Sequence, residues 1–530
     1  MKAEQKQPPL HHLKRPSTLL QAMVVAGLMP LTANTAHALA FQAGEDVRID
    51  WDTVVNYGAS WRVESQDDEL LADPNADDGN RSFDKGLISN RVSLLTEADF
   101  QYKNVGAFVR ASAFYDDAYY GSNDHDSPGT SNNLSVPHDR FTDDAKDQHG
   151  ARARMLDHFL YGNFNVGDRF LSLRVGDQVV SWGESLFLFN GISSAQSPVD
   201  GTKANVPGVE VKDIFLPVGQ VFAQIGLTDN LSASAYYQYE WEKTEFDAVG
   251  SYFSTTDLVD EGGESFLAED GMGGFAPAMT RSADRDASDS GQWGLALRYA
   301  MDDGTEWGLY TLNYHDKTPQ FVVGDFTDIS ASLGMPAGSV IVPTTYHLEY
   351  VEDIRLHGAS LSTLAGDAQV SAEVSYREDA PVLDQNGMTA LDDIAQAQVS
   401  VIHVFGSKKI ADLVTLIAEV GYNRVMDRDG SELANNRSAW GYTAQLNLDY
   451  NYIFTGVDMT VPINFSQGVN GKSSVDGTFS EGDDRASIGA AFTYLNNLQT
   501  ELRYTTFLGD ADESSLSDRD FVSLNVKYSF

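Results

Sequence analysis

The 530-residue chain contains no cysteine, so neither a disulfide framework nor thiolate chemistry is open to it. Basic residues are scarce, 36 Lys and Arg against 77 Asp and Glu. The resulting charge of -41 argues against a nucleic-acid binder, because phosphate contacts draw their affinity from Lys and Arg. Long apolar runs are missing too. Beyond the N-terminus no stretch approaches the ~20 uncharged apolar residues that a membrane helix needs. With a mean hydropathy of -0.29, this excludes a helical membrane protein. Stability must come from backbone hydrogen bonding and packing, and a closed sheet supplies both. The acidic surplus reads as solvated loops. The alternative is loops that share divalent cations with anionic lipid headgroups.

What is present begins with export. Lys14 and Arg15 precede an apolar run from Leu19 to Leu31 and then small residues, the pattern of a signal peptide over residues 1–38. Ala36-His37-Ala38 and Ala38-Leu39-Ala40 are overlapping cleavage patterns, and the first is preferred. Residues 39–530 then alternate with period two in segments of about ten, as the wall of an outer-membrane β-barrel does. Val522, Leu524, Val526, Tyr528 and Phe530 share one face, with Ser523, Asn525, Lys527 and Ser529 on the other. A strand ending on an aromatic residue resembles the C-terminal signal by which the barrel-assembly machinery recognises outer-membrane barrels, so Tyr528 and Phe530 are assembly candidates, with the chance end of a soluble β-sandwich as the alternative. Near the N-terminus, Val47, Ile49, Trp51, Thr53, Val55, Tyr57, Ala59, Trp61 and Val63 alternate with Arg48, Asp50, Asp52, Asn56, Ser60 and Arg62.

Tight turns are expected at 103–104, 167–168, 302–304, 366–367 and 496–497, and long external loops at 64–86, 116–150, 243–290, 317–352 and 427–437. The count predicts an all-β, transmembrane, antiparallel up-and-down barrel of about 18 strands, with 16 as the alternative and both ends periplasmic. Residues 182–218 break the alternation with clumped apolar residues, including Leu186, Phe187, Leu188, Phe189, Ile214, Phe215 and Leu216. Such a segment would be too apolar for a bare loop, so it is expected to fold into the lumen and narrow it, with an external cap as the alternative.

Charged residues on the inward register are candidates for a constriction: Arg48, Arg62, Arg91, Arg110 and Arg174 opposite Glu97 and Asp99, joined by Gln178, Trp182, Glu184, Phe187, Phe189 and Phe215. Lumen salt bridges that simply hold the barrel are the alternative. Asp73, Asn75, Asp77 and Asp78 space oxygens like the start of a calcium loop. Gly79 falls one position late and no bidentate Glu follows, so a plain acidic turn is the alternative, and no other cofactor is expected. Gly468 to Ser473 lacks the first glycine and the helix of a phosphate-binding loop. His158, His347, His357 and His403 meet no G-x-S-x-G elbow, so catalysis is not expected and a lipid hydrolase is the weakest reading.

These residues also carry a resemblance. Asn75 to Phe83, Gly86 to Arg91, Gly176 to Glu184, Gly250 to Ser254 and Glu373 to Pro381 resemble the outer-membrane barrel proteins of domain-of-unknown-function family 1302, over nearly all of residues 39–530. The resemblance implies a lipoprotein-like or periplasmic partner and an inner-membrane efflux pump. It also implies traffic in lipids or other hydrophobic compounds, and functional positions within Asp77–Phe83 and Gln178–Glu184. The expected function is an outer-membrane channel or transporter, in contact with outer-membrane lipids of a Gram-negative bacterium, for hydrophobic or amphipathic small molecules or lipids. The alternative is a binding or structural barrel that conducts nothing.

Overall fold

The computed structural model describes residues 39–44, 46–188, 190–209, 213–475 and 479–530. The signal-peptide reading of residues 1–38 lies outside them, as does Phe189. In chain order the strands are β1 (Leu39–Ala43), β2 (Val47–Arg62), β3 (Gly86–Tyr102), β4 (Val105–Asp116), β5 (Ala151–Val166), β6 (Arg169–Gln178), β7 (Val218–Gly226) and β8 (Leu231–Gln238). They continue as β9 (Ser265–Glu269), β10 (Phe275–Arg281), β11 (Trp293–Ala300), β12 (Glu306–Tyr314), β13 (Gln320–Asp328), β14 (Ile341–Glu349), β15 (Ile354–Ala365) and β16 (Ala368–Leu383). The last are β17 (Thr389–Lys408), β18 (Ala411–Val425), β19 (Ser438–Phe454), β20 (Val457–Asn470), β21 (Asp484–Tyr494), β22 (Leu498–Leu508) and β23 (Phe521–Ser529).

Eighteen of these form a closed antiparallel barrel. Closure comes from β23 pairing with β2, from Val54↔Ser529 to Arg62↔Phe521. The lower edge of β2 is covered instead by β1, from Ala43↔Val47 to Leu39↔Trp51. In lipid an open edge would strand N–H and C=O groups at several kcal/mol each, so both pairings are needed.

The alternation read from the sequence is inverted relative to a water-soluble sheet. Along β16, Glu373 is 3% exposed, Val374 53% and Ser375 6%. Leu160, Phe170, Leu297, Leu309 and Leu502 likewise face out, while Gln220, Gln398, Ser400 and Glu419 are buried inside. Side chains therefore sort by period two into a greasy exterior and a polar interior.

Short turns occupy one end, at 103–104, 167–168, 366–367 and 409–410 among others, with residue 47 and the C-terminus at that same end. Long connections occupy the other. Two of them, 239–292 and 315–353, are not bare loops: they hold β9, β10, β13 and β14, a separate sheet in the order β13-β14-β10-β9, with β10 and β14 parallel. Under the loops, Phe83, Ile88, Tyr119, Phe141, Tyr252, Phe507 and Phe521 pack as one apolar cluster.

Candidate permeation path

After β6 the chain leaves the wall. Gln178 and Gln220 exchange side-chain to backbone hydrogen bonds at 3.1 and 2.7 Å where residues 179–217 turn inward. Trp182 wedges beside Tyr236 and Tyr310, with ring centroids at 5.1 and 6.0 Å. Two wall carboxylates then take the segment's backbone. Glu373 accepts the N–H groups of Glu184 at 2.6 Å and Ile192 at 2.9 Å. Glu419 accepts those of Leu186, Phe187 and Leu188 at 3.2, 2.7 and 2.9 Å. Charge-assisted bonds of this sort supply in the lumen what a helix or sheet would supply elsewhere. Arg377 donates to the Gly191 carbonyl at 3.1 Å.

The segment's tip reaches the other side of the barrel, against β2–β5 and β23. Asp200 pairs with Arg154, and Asp213 with Arg110. Lys203 Nζ donates to the Asp213 carbonyl at 2.9 Å, and Asn56 donates to the Pro207 carbonyl at 3.2 Å. Gly208 takes a left-handed backbone, φ +79°, beside the Asn525 side chain, a conformation that favours glycine. A cavity of about 140 Å³ remains between the tip and β2–β5, lined in part by Val54, Leu95, Phe114, Arg152 and Lys203. A second of about 310 Å³ lies between the tip and β21–β23.

Not every candidate residue belongs to this path. Arg91 and Glu97 line the first cavity, and Arg110 lies 3.8 Å from Glu97 and 3.4 Å from Asp157. Asp99 accepts the Tyr161 hydroxyl at 2.8 Å, and Arg174 lies 4.4 Å over the Phe222 ring. Gln178, Trp182 and Glu184 form the hinge, and Phe187 and Phe215 are half-buried along the segment. Two placements need correction. Arg48 is exposed at the short-turn end and pairs with Asp50 at 2.7 Å, so it lines no constriction. Arg62 is enclosed at the loop end, held by the Phe83 carbonyl at 2.8 Å and Asp518 at 3.0 Å, because the loops fold down over it. Tyr528 and Phe530 meet edge-to-face, ring centroids 4.9 Å apart, at the end of the last strand, where the Phe530 N–H reaches the Thr53 carbonyl.

The apolar clump also has a packing cause. Ile192 fills the space a side chain at Gly358 would need, and Leu188 does the same at Gly421. Ile192 and Leu216 are buried, so these residues anchor the segment and do not line its passage. Sequence reasoning does not single out Glu419, Arg152, Arg154, Lys203 or Asp213, and it meets Glu373 only as the first residue of a resembling segment. Alternation places the wall residues among them inside, but their partners are distant in the chain.

The four proposed calcium ligands do not converge. Asp73 caps the Asn75 N–H, and the Asn75 amide is occupied by Leu267. Asp77, Asp78 and His125 instead come together, with ligand atoms within 4.8 Å of one another, and form a group among the described residues that could hold a cation. Ser127 N–H donates to His125 Nδ1, so Nε2 carries the proton given to Asp78 Oδ1 at 2.8 Å. Asp77 holds Arg81 at 2.5 Å, and burial still pushes its carboxyl up to about 6. Of the four histidines, His158 meets Asp177 and His347 meets Glu349, while His357 contacts Thr311 and His403 packs edge-on against Phe405.

The family described as "Protein of unknown function (DUF1302)" matches residues 19–530. Among solved structures, Acinetobacter baumannii OccAB4 aligns over 92% of this chain and 99% of its own, at 10% identity and TM-score 0.43. Salmonella typhi OmpF in complex with daunomycin aligns over 93% and 100%, at 10% identity and TM-score 0.39. Pseudomonas aeruginosa OccK9 (OpdG) aligns over 91% and 98%, at 10% identity and TM-score 0.39. No curated protein sequence matches.

Proposed function

The chain belongs to the family described as protein of unknown function, DUF1302, and we propose that it is an outer-membrane channel for small amphipathic molecules, narrowed by residues 179–217. A closed barrel with exposed leucines outside and buried glutamines inside suits lipid around it and a polar passage within it. The carrying observation is that the inserted segment crosses the lumen yet leaves a cavity on each side of its tip. Apolar Val54, Leu95 and Phe114 beside Arg152 and Lys203 favour a permeant with both an apolar and a polar part. Ile192 and Leu216 are spent on packing, whereas Phe187 and Phe215 stay half-buried along the segment.

Planar-bilayer conductance and liposome swelling test this, with the chain run beside a variant lacking residues 186–216. The expected result is a small conductance that grows several-fold in the variant. If both forms are silent, the protein is a binding or structural barrel and the channel reading fails.

A further inference from the structure

Most lumen arginines near the segment are answered by carboxylates. Arg110 has Asp157 and Asp213, while Arg152 and Arg154 share Glu245 at 2.8 and 3.1 Å. Arg91 is different. Its guanidinium lies 3.5 Å over the Phe114 ring, its Nε is buried without a partner, and no carboxylate among the described residues lies within ion-pair distance. Asp116, its register partner on β4, gives its oxygens to the Ser89 hydroxyl at 2.5 Å and to the N–H groups of Asn90 at 2.8 Å and Ala118 at 3.1 Å. On the far side of the tip, Arg485 repeats the arrangement, 5.2 Å over Phe507 and likewise without a carboxylate within ion-pair distance among the described residues. Each arginine is placed at one of the two cavities, and Lys527 lines both.

Unpaired guanidinium groups are out of keeping with a chain of charge -41. An aromatic face holds such a group flat and leaves its planar N–H edge free for two parallel bonds to a planar anion. From this we propose that Arg91 and Arg485 are paired binding positions for a carboxylate on either side of the segment's tip. The permeant is then a small organic acid with an apolar body, seated against Val54, Leu95 and Phe114 while its carboxylate meets Arg91. The assignment rests on the channel reading for its role in transport, but the binding step does not.

Sodium benzoate is the probe, with benzylammonium and phenyl phosphate as comparators. Calorimetry on the detergent-solubilised barrel should show benzoate binding that weakens about tenfold or more in Arg91→Gln and in Arg485→Gln, the loss expected for a charge-assisted pair. Arg91→Lys, which keeps the charge and loses the fork, should weaken benzoate comparably while preserving anion over cation selectivity in bilayers. Heat-modifiable electrophoretic mobility checks that each variant is assembled. Benzoate no tighter than benzylammonium, phenyl phosphate tighter than benzoate, or affinities untouched in both assembled Gln variants overturn the assignment. A barrel that binds benzoate through Arg91 yet conducts nothing retains the site and loses the channel.

Discussion

Lys317 leaves the loop end of β12 and buries its ammonium beneath the inserted segment, where Nζ donates to the carbonyls of Ala195 and His315, each at 3.2 Å. Burial pushes this group down to about 8 from an ordinary 10.5. Between these two values the unfolded chain keeps a proton that the folded barrel has released, so stability rises with pH across the window. The gain is at most about 1.4 kcal/mol per pH unit, and below pH 8 the burial penalty is constant. Urea midpoints of the refolded barrel at pH 8 and pH 10 should therefore move apart in the wild type by more than in Lys317→Met; equal movement would assign the effect to other groups. A sequence reading has little access to such a residue, since Ala195 lies 122 positions away. Asp77 and Asp78 make the same point. Their spacing marks an acidic turn, but Asp78 finds its partners 47 positions on, at His125, and 179 positions on, at Asp257.

The wall strands were readable because each obeys one local rule, the exchange of lipid and lumen at every residue. The pairing of β21 with β22 across 495–497 needs nothing beyond that rule and a turn. Strands β9, β10, β13 and β14 fall in segments that the pattern marks as loops, because they serve no lipid face. Pro277 also interrupts the register of β10, and its neighbour β14 is parallel. Residues 182–218 stood out only by breaking the rule, so the sequence could mark the segment but not its anchors. Those anchors make a prediction about the element. Glu373 and Glu419 together satisfy N–H groups on both sides of residue 189, and each charged bond is worth about 1.5–3 kcal/mol. Replacing both by Ala should free this arm while Asp200 and Asp213 still hold the tip. Single-channel current is then expected to become noisier and larger, approaching that of the chain without residues 186–216. A current indistinguishable from wild type would mean that the segment is held by packing of Ile192 and Leu188 alone.

At the scale of the molecule, strand parity and the shared side of residue 47 and the C-terminus follow from up-and-down closure, which is why they were legible without knowing any single register. How the barrel closes was not legible. β23 stops pairing with β2 at Val54, and the five residues Val47 to Trp51 would present an open edge were it not for β1. Strand β1 is too short to show alternation, so nothing in its pattern announces this task. Its backbone bonds carry the consequence. At about 1 kcal/mol for each net hydrogen bond, and more where water is absent, removing residues 39–46 should cost the barrel a few kcal/mol. The truncated chain is expected to assemble through the β2–β23 seam, which it keeps, and to lose its folded band on heated-detergent electrophoresis at a lower temperature than the chain that retains β1. The same fall should follow a proline at Phe41, which breaks one ladder without shortening the chain. If neither change lowers that temperature, β1 is an adornment and the seam between β2 and β23 closes the barrel unaided.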